Sequence, residues 1–274
     1  MAARAPRNSE EWNAQAYHRL DRPQQAWARS VLDTIALRGD ETVLDAGCGT
    51  AKLAAVIARR VPRGRVLAVD RSANMLRVAH RALAAPEAPR VTLIRASLEA
   101  LPFARSVDVV ISTAAFHWVL DHDRLFRELY VALRPGGRLV AQCGGGPNLA
   151  RVLARAERVL AGDPYRPHFE GWSGPWMFAD AGSTAARLRR AGFVEVHTSL
   201  AEAPTVLADR EEYVAFLESV VLRAHCDRLP DAALRESLLA RLSDAAAADD
   251  PPFSLDYWRL NMRAQRPSGP PGDG

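Results

Sequence analysis

Short apolar runs alternate along the first half of the chain with segments in which apolar residues recur every three or four positions. The runs lie at 43–44, 65–69, 91–94, 109–112 and 138–143, and their lengths are typical of buried strands. The periodic segments between them are typical of helices that pack one face against a sheet. This alternation predicts an α/β fold around a doubly wound, mostly parallel sheet.

The second half of the chain adds a strand at 193–198 and an apolar stretch at 254–262, which we expect to pair antiparallel. Two amphipathic segments, 211–223 and 231–246, lie between them and predict a helical insertion over about 201–252. Because such helices must bury their apolar faces on the body of the domain, we expect the insertion to cover the ligand edge of the sheet.

Length and composition favour a single domain. The chain has 274 residues, of which 48% are hydrophobic and 25% are charged. We assign the domain to 11–265, with a helical cover before the first strand, and we expect disordered segments at 1–10 and 266–274. No apolar run approaches the ~20 residues of a membrane helix, and the first residues lack the apolar segment of a signal peptide. We therefore expect a cytoplasmic protein with no membrane partner.

The formal net charge is +4, and Lys52 is the only lysine among the basic residues, which are otherwise scattered arginines. Scattered charge makes no continuous track for phosphates, so we do not expect a nucleic-acid partner. The three cysteines, Cys48, Cys143 and Cys226, are far apart and lack metal-ligand spacing. We therefore predict free buried thiols, with neither a disulfide framework nor a metal site.

A candidate ligand site begins where the first strand ends. Asp45 is followed by a turn with Gly47 and Gly49, and a helical pattern starts directly afterwards. A strand, a glycine-rich turn and a helix N-terminus form a nucleotide-sized pocket at the carboxyl end of a sheet. Asp70 ends the second strand, 21 positions after Gly49, where a carboxylate can accept hydrogen bonds from ribose hydroxyls. Lys52 stands where a dinucleotide fingerprint has its third glycine, which disfavours a nicotinamide oxidoreductase.

Four motifs within residues 12–143 carry a resemblance to a known family. They are the sequence VLDAGCGT at 43–50, the acid Asp70, the third strand with its following turn, and the pair AFHWV at 115–119 and LRPGGRL at 133–139. The chain resembles the class I S-adenosylmethionine-dependent methyltransferases of the small-molecule type, and within them the trans-aconitate 2-methyltransferase branch. The family usually has glycine at the position of Ala51 and often an acid at that of Ser97.

The resemblance implies a seven-stranded sheet and an enzyme that binds S-adenosylmethionine and releases S-adenosylhomocysteine. It implies that Asp70 binds the ribose, that the region after it packs on the adenine, and that Ser97 contacts the adenine. The cofactor-binding candidates are Tyr17, Asp45, Gly47, Gly49, Asp70, Arg71, Met75, Ser97, Leu98 and Thr113.

We expect a small acceptor that is methylated on oxygen, as a carboxylate or hydroxyl, or on nitrogen. His117 is the candidate base for an acceptor that carries a proton, since imidazole titrates near neutral pH. The alternative is a structural histidine that is hydrogen-bonded within its loop. The candidate acceptor-binding residues are Trp118, Trp172, Trp176, Tyr257 and Arg259. The aromatic segment 165–178 is interpreted either as a wall of this site or as a satellite cluster.

Other functions remain open at this point. The segment Thr113–Phe116 does not match the Asn/Asp-Pro-Pro-aromatic motif of amino-methylating nucleic-acid enzymes, and no nucleophilic Pro-Cys pair is present there. An RNA methyltransferase is therefore less favoured than a small-molecule enzyme. A non-catalytic protein that binds S-adenosylmethionine is a further alternative. We expect a monomer or a homodimer.

Overall fold

A computed structural model describes residues 22–83 and 90–269. The largest element is a sheet of seven strands in the order β3-β2-β1-β4-β5-β9-β6. The strands are β1 (Thr42–Ala46), β2 (Arg65–Asp70), β3 (Val91–Arg95), β4 (Val107–Thr113), β5 (Leu133–Gly144), β6 (Val194–Glu202) and β9 (Trp258–Gln265). The first five run parallel, and β9 is antiparallel to both β5 and β6. The predicted doubly wound, mostly parallel sheet is confirmed.

The central strand β1 is buried along its whole length, because β2 and β4 flank its edges and helices cover both faces of the sheet. Leu44 is paired with Leu67 on one side and with Val110 on the other. The chain order reverses between β1 and β4, which is the point where an open α/β sheet leaves a crevice beyond its strand ends.

The helices on the sheet follow the predicted alternation. They are α1 (Arg22–Asp33), α2 (Lys52–Arg60), α3 (Ala73–Ala82), α4 (His122–Ala132), α5 (Ala150–Leu160) and α6 (Ala181–Arg190). Side chains of α4 and α6 join the buried cluster on one face of the sheet, and those of α1 and α2 join the cluster on the other. No helix among the described residues is long and apolar enough to cross a membrane.

The insertion after β6 has its own buried cluster, which α5 completes. It comprises a short strand β7 (Thr205–Val206), the helices α7 (Arg210–Phe216), α8 (Arg223–Arg228) and α9 (Ala232–Ala247), and a short strand β8 (Ser254–Leu255). A π-helical turn, Leu217–Val221, joins α7 to α8. The helical character predicted for this region is therefore observed, but as three helices instead of two.

The last strand differs from its prediction. The segment 254–262 was expected to form one strand, but β8 pairs with β7 in a separate two-stranded sheet, and only β9 joins the main sheet. The antiparallel pairing of β9 with β6 is as expected. The N-terminal cover before residue 22 lies outside the described residues, and so do the segments 84–89 and 270–274.

Candidate functional site

The turn after β1 is held against β2 by its backbone. The amides of Gly47 and Cys48 both donate to the carbonyl of Val69, at 2.9 Å each. Gly47 has a φ of +81°, and a Cβ built on it would lie 2.3 Å from the Cβ of Ala115. A side chain at this position would therefore collide with the loop that follows β4, so the close approach of the two loops requires glycine.

Gly49 has open space at the position where a side chain would be, in contrast to the crowded Gly47. Its φ is +53°, and a Cβ built on it would have no atom within 4 Å. The space in front of its backbone is therefore open to a ligand. Ala51 also has a left-handed conformation, with a φ of 59°, at the start of α2. Ala51 therefore carries a methyl group where related chains have glycine, and its left-handed backbone conformation is strained.

Asp70 is positioned by two backbone amides. Its Oδ2 accepts from Gly49 N and its Oδ1 accepts from Ser72 N, both at 2.8 Å. These bonds fix the carboxylate at the tip of β2, beside the open face of Gly49. A carboxylate oxygen has two lone pairs, so each oxygen can accept a further hydrogen bond from a ligand hydroxyl.

Asp45 is a buried acid, with only 2% of its surface exposed, and its Oδ2 has no hydrogen-bond partner among the described residues. Burial, and after it the negative charge of Asp70, raise the pKa of this carboxyl to about 7, against a hydrogen bond from the backbone of Ala54 that lowers it. A buried carboxylate with an unpaired oxygen is a suitable partner for a cationic group of a ligand.

These residues line one cavity at the carboxyl ends of the strands. The structure brings nine of the ten predicted cofactor residues to its wall: Asp45, Gly47, Gly49, Asp70, Arg71, Met75, Ser97, Leu98 and Thr113. The tenth, Tyr17, lies outside the described residues. Ala28 of α1 also lines the cavity and was not predicted, because only its place in the fold brings it there. We refer to this as the cofactor cavity.

Comparisons with known proteins agree with this geometry. The model of a methyltransferase domain matches residues 43–137, which contain the turn after β1 and the acid Asp70. Trans-aconitate 2-methyltransferase from Azoarcus sp. is 38% identical over 131 residues, 48% of this chain and 50% of that protein. The protein of the same name from Methylobacterium nodulans is 28% identical over 272 residues, 93% of this chain and 98% of its own length.

These matches support a class I S-adenosylmethionine-dependent methyltransferase, with the methyltransferase domain itself at residues 43–137. The match to the Azoarcus protein spans about half of that relative's length. The crystal structure of the YcgJ protein from Bacillus subtilis has the same fold, with a TM-score of 0.63 at 17% identity, and it covers 89% of this chain and 100% of its own.

The cofactor cavity fits S-adenosylmethionine in three respects. Asp70 offers a carboxylate to ribose hydroxyls, the unpaired Oδ2 of Asp45 can accept from an ammonium group, and Gly49 leaves backbone open for close contact. Ser97 retains an uncharged hydroxyl, which accepts from Glu99 N at 3.1 Å. The donor and acceptor groups that the cofactor needs are therefore present.

A second, smaller cavity adjoins the cofactor cavity, and both are lined by Ala114 and Trp118. We call it the acceptor cavity. Its other lining residues come from six parts of the chain: Trp27, His117, Asn148, Leu149, Trp176, Phe178, Val220, Val221, Tyr257 and Arg259. Four of the five predicted acceptor residues, together with His117, are therefore close together.

Trp172 is the exception among the predicted acceptor residues. It faces a third cavity, where its ring centroid lies 4.6 Å from that of His225. Its prediction as an acceptor-binding residue is not supported by this placement. Gly174, whose φ is +86°, lies between Trp172 and Trp176, and beyond it Trp176 and Phe178 line the acceptor cavity while Trp172 does not. Trp27 was missed as a site residue, since its apolar character alone indicates only packing.

His117 is buried, and its Nδ1 accepts a hydrogen bond from Gly144 N at 3.3 Å. Burial holds the pKa of the ring well below its ordinary value, and the positive charges of Arg259 and then His122 lower it further. The imidazole is therefore neutral at pH 7. Because Nδ1 is used as an acceptor, the single proton of the ring is on Nε2, which is a donor.

Arg259 supplies a buried positive charge to the acceptor cavity. Only 3% of its surface is exposed, and its guanidinium carbon lies 4.1 Å from the centroid of the Trp27 ring. Tyr257 stands against the same Trp27 ring in an edge-to-face contact, with a centroid distance of 5.1 Å. The cavity thus combines a fixed guanidinium with aromatic walls, which is a setting that binds small anions with flat carboxylate groups.

Proposed function

We propose that this protein catalyses the transfer of a methyl group from S-adenosylmethionine to a carboxylate oxygen of a small acceptor. The proposal rests on one observation. The buried guanidinium of Arg259 and the neutral donor His117 line the same cavity, and that cavity adjoins the cofactor cavity. The names of the relatives from Azoarcus sp. and Methylobacterium nodulans support a carboxylic acid as the acceptor.

In this proposal Asp70 holds the ribose of the cofactor and Asp45 holds its ammonium group. The open backbone at Gly49 lies against its methionine part. S-adenosylmethionine, when bound, supplies an electrophilic methyl group on a sulfonium. The residues around the cofactor therefore bind and orient, and none of them needs to form a covalent bond.

The acceptor carboxylate is held by Arg259 through charge-assisted hydrogen bonds and by the Nε2–H of His117. A carboxylic acid is already ionised at neutral pH, so its oxygen needs no base to become nucleophilic. His117 then acts as a hydrogen-bond donor that orients the acceptor. This role replaces the base that the sequence suggested, because the pKa of the ring is too low and Nδ1 is already bonded to Gly144 N.

The walls of the acceptor cavity exclude water and fix the direction of attack. Trp118 stands at the boundary of both cavities, and its ring lies 5.7 Å from that of Trp176. Trp176 in turn stacks on Phe178 at 5.5 Å. Alignment of two reactants in this way can supply about 7 to 11 kcal/mol of the barrier reduction.

Arg259→Gln tests the proposal most directly. Loss of a charge-assisted pair costs about 1.5 to 3 kcal/mol, so kcat/KM for carboxylate acceptors should fall about 10- to 150-fold. The measurement is S-adenosylhomocysteine formation with a panel of carboxylic acids, trans-aconitate included, and with phenols and amines. Arg263→Gln is the matched control, since Arg263 is an exposed residue on the same strand, β9.

Binding of S-adenosylmethionine, followed by calorimetry, should be the same in the two variants and in the unaltered protein. An Arg259→Gln protein that still methylates carboxylic acids at the original rate would refute the acceptor assignment. Turnover of amines or phenols alone would also refute it, while leaving methyl transfer itself in place. Absence of turnover with every acceptor, despite cofactor binding, would favour a binding protein.

A further inference from the structure

A third cavity has no role in the proposed reaction. It shares Trp176 and Phe178 with the acceptor cavity, so this stacked pair of rings stands between the two spaces. Phe169 and Trp172 add two further half-buried rings to its wall. Four aromatic side chains around one concave surface make a binding wall for a flat apolar group.

His225 is the polar group of this wall. It is 7% exposed, and its Nδ1 has no hydrogen-bond partner among the described residues. Three rings surround the imidazole, with centroids at 4.6 Å for Trp172, 5.4 Å for Trp176 and 6.0 Å for Phe169. Burial lowers the pKa of His225 to about 4, and Arg228 contributes to the same effect. The ring is neutral at pH 7, and its buried nitrogen needs a hydrogen-bond partner.

The π-helical turn before α8 explains why His225 points to this cavity. Leu222 N donates to Leu217 O five residues earlier, which inserts one extra residue into the helical path. Val220 and Val221 then line the acceptor cavity, while His225 lines the third cavity. The same segment therefore forms part of both walls.

The charged side chains at the rim disfavour an anion. Glu157 and Glu170 line the cavity and are both exposed. Arg166 also lines it, but its guanidinium is 3.6 Å from the carboxylate of Asp163. Arg228 places a second guanidinium against the wall, 5.0 Å from the centroid of the Trp172 ring, and its Nε donates to His168 O. With the charge of Arg166 offset by Asp163, two carboxylates face this one guanidinium, so a negatively charged aromatic compound should bind less well than a neutral one.

We infer that the third cavity is a binding site for a phenol-like aromatic compound, whose ring stacks on the aromatic wall and whose hydroxyl hydrogen-bonds to Nδ1 of His225. A hydroxyl can donate or accept, so it matches either tautomer of the neutral imidazole. The ligand class differs from that of the acceptor cavity, where a guanidinium favours carboxylates. The site shares Trp176 and Phe178 with the acceptor cavity, but none of its lining residues lines the cofactor cavity.

The test is binding of 4-fluorophenol to the full chain, followed by fluorine NMR, with 4-fluorobenzoate as the anionic counterpart of the same size. His225→Phe keeps an aromatic ring at the position and removes Nδ1. We expect it to weaken 4-fluorophenol binding at least about fivefold, the equivalent of ~1 kcal/mol. His80→Phe is the matched control, because His80 is exposed on α3, away from the three cavities.

Arg259→Gln separates the two sites. It should leave 4-fluorophenol binding unchanged and weaken 4-fluorobenzoate binding, whereas His225→Phe should have the opposite pattern. Unchanged 4-fluorophenol affinity in His225→Phe would overturn the inference, and so would loss of that affinity in Arg259→Gln. Absence of saturable 4-fluorophenol binding would overturn it too. These readouts need no turnover, so they stand apart from the fate of the proposed methyl transfer.

Discussion

Asp45→Asn should make the protein without its cofactor more stable at pH 8, although the side chain lies in the most functional part of the fold. Burial raises the pKa of this carboxyl from 3.8 to about 7. The pKa of Asp45 is higher in the folded protein than in the unfolded chain, so the protonated acid stabilises the fold below pH 3.8. This contribution to the free energy of unfolding is lost as the pH rises toward 7. Over 7 − 3.8 = 3.2 pH units, at ~1.36 kcal/mol per unit, the loss amounts to about 4 kcal/mol.

The measurement is the free energy of unfolding in urea between pH 4 and pH 8 for both proteins. Asparagine cannot ionise, so the difference between the curves isolates the titration of Asp45. We expect a difference near zero at pH 4 that grows to about 4 kcal/mol in favour of Asp45→Asn at pH 8. Asp40→Asn is the control, since its side chain is 55% exposed. That variant should show no such divergence.

Asp45→Asn should also weaken binding of S-adenosylmethionine, because the uncharged amide of asparagine cannot pair with an ammonium group. In the unaltered protein the cofactor should bind more weakly as pH falls below 7, by up to about tenfold per unit, since Asp45 must first release its proton. Parallel stability curves for Asp45→Asn and the unaltered protein would refute the burial argument. Equal cofactor affinity in both proteins at pH 8 would refute the assignment of the ammonium contact.

Two further outcomes concern the cofactor cavity. Asp70→Asn should weaken S-adenosylmethionine binding at least about tenfold, because a charge-assisted hydrogen bond is worth about 1.5 to 3 kcal/mol. An unchanged dissociation constant, measured by calorimetry, would show that Asp70 does not bind the cofactor. Gly49→Asn should keep the fold, because asparagine tolerates a φ of +53°, but its side chain would fill the open space and block the cofactor. Normal affinity in a protein with an unaltered circular dichroism spectrum would contradict that role.

The cofactor cavity could be predicted because its chemistry is local in sequence. Asp45, Gly47 and Gly49 lie within five residues at the end of one strand, and Asp70 ends the strand paired with it. A parallel sheet brings the carboxyl ends of its strands to one edge, so these positions lie close together regardless of the other elements of the fold. Hydrophobic runs locate such strands well, which is why the pattern located the five parallel strands.

The acceptor cavity could be predicted only in part, because its residues come from elements that meet through packing. Trp27, Trp176 and Arg259 lie on a helix, a loop and a strand. An aromatic residue in a loop indicates burial but not the cavity that it faces. Trp172 and Trp176 were indistinguishable by pattern, although only Trp176 lines the acceptor cavity. The protonation of His117 depends on Gly144, whose amide position only the fold determines.

Two acids of the cofactor cavity and the guanidinium of the acceptor cavity are opposite in charge, which suits the proposed reaction. Asp45 and Asp70 stand where a cationic cofactor would bind, and Arg259 stands where an anionic acceptor would bind. A carboxylate loses negative charge as it takes up a methyl group, so its attraction to Arg259 is greatest before the reaction and declines toward the transition state. Arg259 therefore contributes to binding more than to the chemical step. It follows that Arg259→Gln should act mainly by raising KM for the acceptor, whereas residues that align the two reactants, such as Trp118, should act mainly on kcat.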